Sequence, residues 1–259
     1  MSKVEAPPRM LVLLADWSNV AAGVSLVISF SILTAALTFK LVELQGQVHY
    51  WFQFTMTLEG FLWAVGGVCL AKINMIVGNA SLAVGQTIIA FGGIFFFISG
   101  LGDGVPAKII SIRYILPFGE KAHGTLADAA PYYGIACFMF STAMGLSGVW
   151  GLPKNRIVSP FWGVACFFIG AWTIGVVGLW GPSLLDGGMR YEDVKGTAVY
   201  TLPPYAWAWI HCFQVIGSIF LLAGGVIFGL MDGIFGGSRQ PPADDEDSGS
   251  ESASDLESS

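Results

Sequence analysis

The sequence predicts an all-α polytopic membrane protein: six transmembrane helices in one bundle, followed by a disordered acidic C-terminal tail. Three observations carry this. Uncharged or nearly uncharged apolar runs of about 20 residues recur along the chain, and at about 1.5 Å rise per residue each crosses a hydrocarbon core of roughly 30 Å. Of the 259 residues, 54% are hydrophobic and only 12% charged, about half the charged share of an ordinary soluble domain. Finally, the runs 131–152 and 158–180 carry no charge, and the break between them, Pro153-Lys154-Asn155-Arg156, holds two cations and no acid. A soluble helical hairpin of that length would show a polar stripe every three or four residues. None is present.

In chain order, residues 1–16 form a short N-terminal cytosolic segment. The first apolar run, from Trp17 to Phe39, is too long for a signal-peptide core and reads as a retained helix. The second runs from Trp51 to Ala71 and contains Glu59 and the pair Gly66-Gly67. The turn Asn74 to Asn79 leads to a third, Leu82 to Leu101, which Gly100, Gly102, Gly104 and Pro106 terminate. Residues 105–129 are mixed. Within them Ile109 to Leu116 is amphipathic and too short to span, so it is expected at the interface. The fourth and fifth helices are the hairpin above. A second mixed loop, 181–204, precedes a sixth helix from Tyr205 to Met231, entered through the interfacial aromatics Tyr205, Trp207 and Trp209. The transmembrane domain is thus 17–234 and the tail 235–259.

The net charge of −6 belongs to that tail, where seven acids stand against Arg239. The body is neutral, so nothing suggests a nucleic-acid partner; the partner is the lipid bilayer. The tail is too polar to fold; Ser248, Ser252 and Ser254 each precede an acid by three positions, as acidophilic kinases require, and a solvated tail with no regulatory duty fits it equally. Cys69, Cys137, Cys166 and Cys212 lie in apolar runs without metal-ligand spacing, and read as reduced packing residues. No nucleophile–base pair, metal cluster or phosphate loop stands out, so no catalytic residue, metal or cofactor is assigned and the chain does not read as an enzyme. Glycines spaced along the fifth and sixth helices (Gly163, Gly170, Gly175, Gly178; Gly225, Gly229, Gly233) form small-residue faces suited to close packing in a bundle or homo-oligomer.

Polar groups inside the spans are more informative, because an ionised side chain at mid-bilayer costs at least a few kcal/mol. Glu59 is a candidate for proton coupling; its alternative is a protonated group hydrogen-bonded to a neighbouring helix. His211 and Gln214, one turn apart, can share a face, with His211 either a proton-coupling partner or a hydrogen-bonded interfacial histidine. Gln86 reads as interhelical glue.

Across Gly134-Ile135, Met139-Phe140, Leu152, Arg156, Phe161, Phe168 and Ile174-Gly175, the chain resembles the acetate uptake transporters. Gly78-Asn79 leading into Ala90-Phe91-Gly92-Gly93-Ile94-Phe95-Phe96 is similar to another stretch of that family. Asn19-Val20-Ala21-Ala22-Gly23-Val24 stands where its helix 1 signature falls, without the signature prolines. The resemblance implies a six-helix permease in which each protomer carries its own path for a small organic anion or acid, such as acetate, moving with a proton. It places Asn19 and Gly23 at the entrance, and Val27 or Ile28, Phe91, Phe95 and Ala165 along the path. Ala165 stands where the family has a larger aliphatic group. The competing class is a structural or adaptor membrane protein, which the glycine faces and sparse intramembrane charge fit equally.

Orientation follows from the short loops. Lys72, Lys154 and Arg156 flank them without an acid, whereas the long loops mix both signs, so both termini are expected in the cytosol. The expected outcome of cysteine-accessibility labelling on intact cells is that a cysteine at Asn155 stays unlabelled by an impermeant reagent while one at Arg190 reacts. Labelling at Asn155 reverses the orientation.

Overall fold

A computed structural model of the protein describes residues 6–38, 45–102, 120–186, 190–194, 197–201 and 204–235. They form α1 (Arg9–Thr38), α2 (Gln45–Ile76), α3 (Ala80–Gly102), α4 (Glu120–Val149), α5 (Pro160–Asp186) and α6 (Pro204–Met231). Each contains a stretch long and apolar enough to cross a membrane, which makes the chain a multi-pass membrane protein. Between α5 and α6 the strands β1 (Arg190–Val194) and β2 (Thr197–Thr201) pair antiparallel, Arg190 opposite Thr201. The second mixed loop therefore contains a hairpin. Its alternating, Thr- and Tyr-containing strands around Lys195-Gly196 are the signal for it.

The helices outrun their apolar cores. α1 begins at Arg9 rather than Trp17, α2 at Gln45 rather than Trp51, and α4 at Glu120 rather than Pro131. Hydropathy marks what the bilayer covers, whereas a helix satisfies its own backbone and continues into water wherever propensity allows. Both α4 and α5 run through a proline, Pro131 and Pro182. Each lacks an N–H, leaving one carbonyl a turn earlier without its helical partner. The amphipathic segment 109–116 and the tail beyond Phe235 lie outside the described residues.

Packing follows chain order and then closes. Each helix lies against its neighbours in sequence, and α6 returns along α1 to complete a six-membered ring. At mid-depth the lumen is filled: Leu26 and Phe30 of α1, Trp63 of α2, Phe96 of α3, Phe138 of α4, Ala171 of α5 and Leu221 of α6 belong to one buried cluster. Large apolar side chains such as Phe61, Val84, Phe140 and Ile219 point outward, the distribution a lipid-facing surface requires.

Two tight turns shape the end of the ring that carries the termini. Gly78 closes α2 with a positive φ of 78°, while the N–H of Asn79 donates to the carbonyl of Asn74 at 2.8 Å. Gly233 does the same for α6, with a φ of 70° and the N–H of Ile234 donating to the carbonyl of Gly229 at 2.9 Å. Both are helix caps that only a left-handed residue completes. The predicted packing face on α6 is corrected here: Gly233 is a cap, and Gly229 meets Ile234 and Phe235 of the chain's own turn. Gly225 does face α1, at the backbone of Asn19.

Elsewhere the glycines do bring helices together. A Cβ on Gly170 would stand 2.6 Å from the carbonyl oxygen of Gly217, and one on Gly93 would stand 2.7 Å from that of Gly60. The α5–α6 and α2–α3 seams are thus backbone-to-backbone contacts, as small-residue faces allow in lipid. Gly93→Ala is expected to destabilise the folded protein by about 1–3 kcal/mol, the usual cost of overpacking. Gly151→Ala, where a Cβ meets nothing within 4 Å, is expected to leave it unchanged. Thermal unfolding of both variants in detergent checks the pair; equal melting would show that the α2–α3 seam yields freely.

A polar cavity inside the ring

The described interior holds a cavity of about 250 Å³ to which all six helices contribute. Its rim is made where the short turns lie, by Asn74, Leu82, Val149, Pro160 and Asp232; its floor is Trp63, Phe138 and Phe167. With about 1.5 Å of rise per residue, Trp63 stands roughly 20 Å below the end of α2. The floor is a set of interlocked rings. Trp63 meets Phe138 edge-on at 5.0 Å and Phe167 at 5.9 Å, and Phe96 lies 5.7 Å from Phe138 on the far side. Such aromatic pairs add to area burial, and together they close the inner end of the cavity.

The walls are polar by position. Asp16 and Asn19 are buried on α1, and Ser141 and Thr142 on α4. Gly66 of α2 makes room for the Asn19 amide, whose Oδ1 a Cβ there would approach to 2.8 Å. The donors on these walls are largely spent on backbone. Ser141 Oγ donates to the Gly85 carbonyl at 2.6 Å, Thr142 Oγ1 to that of Phe138 at 2.8 Å, and Asn74 Nδ2 to that of Leu70 at 2.8 Å. Two buried oxygens, Asp16 Oδ2 and Gln86 Oε1, have no hydrogen-bond partner. Gln86 thus lines the cavity with a free carbonyl oxygen. At the rim the Asp16 and Asp232 side chains lie side by side within hydrogen-bonding reach. Arg9 acts on the pair from outside, and its Nη1 donates to the Asp232 backbone carbonyl at 2.8 Å.

Compared with family models, curated proteins and solved structures, the chain matches none. The site is therefore read from its own residues.

Of the positions named from sequence, Asn19 lines the cavity. Gly23 is an α1–α6 packing residue, its missing Cβ making way for the Leu222 backbone. Ile28 and Phe91 are 51% and 56% exposed, on the outer faces of their helices, and Val27 is half-buried outside the cavity lining. Phe95 stacks against Tyr133 at 5.6 Å, and Ala165 packs with Val149 and Phe161. The structure therefore does not gather these residues into one path. Their neighbours Trp63, Gln86, Val164 and Phe167 take the inward positions.

Glu59 and His211 lie beyond the plug. Glu59 is buried at 4% exposure, one turn from Trp63 on the same face of α2. The Trp63 Nε1–H is the donor beside its carboxyl. His211 Nδ1 pairs with Gln214 Oε1 at 2.6 Å, as their spacing suggests, and its ring stacks on Phe30 at 6.0 Å. The group beside the Glu59 carboxyl is Trp63, not His211. Among the described residues no cluster of His, Cys, Asp or Glu could hold a metal ion.

Trp63→Ala is expected to join the cavity to the Glu59 side and to cost about 3–5 kcal/mol, the usual range for removing a buried large aromatic. Thermal unfolding of the purified variant checks it. A loss under about 1 kcal/mol would mean that the plug collapses readily and is no seal.

Proposed function

We propose that this protein is a permease, a transporter or channel that carries a small polar solute along the axis of its six-helix ring. One observation carries the reading: a closed ring encloses a cavity with unpaired polar atoms, sealed at mid-depth by aromatic rings with a buried carboxyl beyond. An unpaired buried polar group costs about 1–3 kcal/mol. An adaptor bundle would gain stability by filling that space with apolar side chains, so the retained cavity favours passage over a purely structural role.

The site is open to one end of the ring and closed towards the other, as one state of an alternating-access cycle would be. On the orientation expected from the short basic turns, that open end faces the cytosol. The resemblance to acetate uptake transporters makes acetate the first solute to test. Entry would be as the neutral acid, since the described residues lining the cavity include two carboxyls and no cation. In the homo-oligomer that the resemblance implies, each ring would keep its own path, because the cavity is complete within one chain.

The test is uptake of labelled small solutes, acetate among them, into proteoliposomes with and without a protonophore. Uptake above that of protein-free vesicles is expected, together with loss of its pH dependence in Glu59→Gln, which keeps shape but cannot titrate. Absence of any small-solute flux from folded protein would favour the adaptor class. Normal pH-dependent flux in Glu59→Gln would reduce Glu59 to a packing residue.

A further inference from the structure

Acceptors predominate among the cavity's polar groups. Ser141, Thr142 and Asn74 have each turned a donor to a backbone carbonyl, which leaves acceptor oxygens to face the space. Asp16 adds Oδ2, without a partner on a residue only 2% exposed. Gln86 adds Oε1, although an amide can turn and offer its nitrogen. Asp16 cannot. Its carboxyl also stands beside that of Asp232, and two carboxylates so placed repel unless a proton or a bound cation lies between them. Arg9 donates to the Asp232 backbone carbonyl and acts on the Asp16 carboxyl through its charge.

The other end of the cavity is aromatic. Trp63, Phe138 and Phe167 form its floor, an apolar surface against which a short alkyl chain can be buried. The volume of about 250 Å³ is that of about eight waters at roughly 30 Å³ each, far more than a bare metal ion fills. A ligand that satisfies both ends carries N–H donors and positive charge at its head and a few carbons behind.

We infer that the cavity is a binding site for a small protonated primary amine, its ammonium group held by Asp16 and Asp232 and its alkyl part against the aromatic floor. This takes the cavity as the solute site of the permease proposed above and names its ligand class. It sets the site against a carboxylate anion, which would meet the Asp16 and Asp232 carboxyls.

The experiment is calorimetric titration of the purified full-length protein in detergent, at constant ionic strength, with butylammonium chloride, tetramethylammonium chloride and sodium butyrate. Saturable binding of butylammonium is expected. Tetramethylammonium, a cation without N–H donors, is expected to bind about tenfold more weakly or worse, the loss that follows removal of a charge-assisted hydrogen bond. Butyrate is not expected to bind, and sodium ions are not expected to displace the amine. Asp16→Asn should weaken butylammonium by a similar factor. Asp232→Asn, at a half-buried position, should do the same and decides the matter if the first variant does not fold. No butylammonium binding, equal binding of butyrate, displacement by sodium, or an unchanged affinity in Asp232→Asn each overturns the assignment. Binding without flux of the amine in proteoliposomes would leave the site standing and sink the permease. Flux of some other solute without amine binding would do the reverse.

Discussion

A helix surrounded by hydrocarbon gains nothing from hiding an apolar face, because lipid is as apolar as leucine. What it must hide is polarity. That constraint orders this structure: Asp16, Asn19, Ser25 and Ser29 of α1, Glu59 of α2, Ser141 and Thr142 of α4 and Ser218 of α6 are all buried. Six such helices meet every requirement by forming a closed ring, with polar side chains inward and bare apolar ones outward. Closure depends on α1 reaching α6, and it does so where Gly23 admits the Leu222 backbone and Gly225 faces Asn19. The same closure brings Asp16 beside Asp232, so the acid pair at the rim is a product of the ring and not of either helix.

The interior is divided in two by the plug. On one side stand the cavity and its acceptors; on the other, Glu59 with the Trp63 indole beside it, and the His211–Gln214 pair. Trp63 faces both sides. Its ring is the cavity floor, and its Nε1 is the polar group beside the Glu59 carboxyl. Any change in the hydrogen bonding of that carboxyl therefore acts on the residue that seals the lumen, through a single turn of α2.

Much of this was legible in the sequence, and the rest was not for definite reasons. Run lengths reveal six spans because bilayer thickness sets a length that composition must match. They do not reveal which face of each helix turns inward, since helices apolar all round carry no stripe. Resemblance to another family fixes order along the chain but not rotation, and one residue of misplacement turns a side chain by about 100°. Phe91 fell outward for that reason. Ala165 missed the cavity by a single position, since Val164 lines it. Glu59 and Gln86 stood out as polar residues in apolar runs and Asn19 through the resemblance, and all three are interior groups. Asp16 and Asp232 did not stand out, because each sits at the end of a run, where a charge reads as a headgroup neighbour. Only the pairing of the first helix with the last makes them one site.

A packed six-helix bundle with no duty but assembly would have little reason to retain that site. Its unpaired Asp16 and Gln86 oxygens lie in the half of the ring that the termini and short turns share, while the opposite half is closed by packed rings. Filling the space would need only larger apolar residues at positions such as Gly145, Ser141 and Thr142, all of which line it. The small and hydroxylated residues found there keep the volume open and turn their lone pairs into it. Stability alone would favour the opposite choice at each position, and that difference is what the permease reading proposed above rests on.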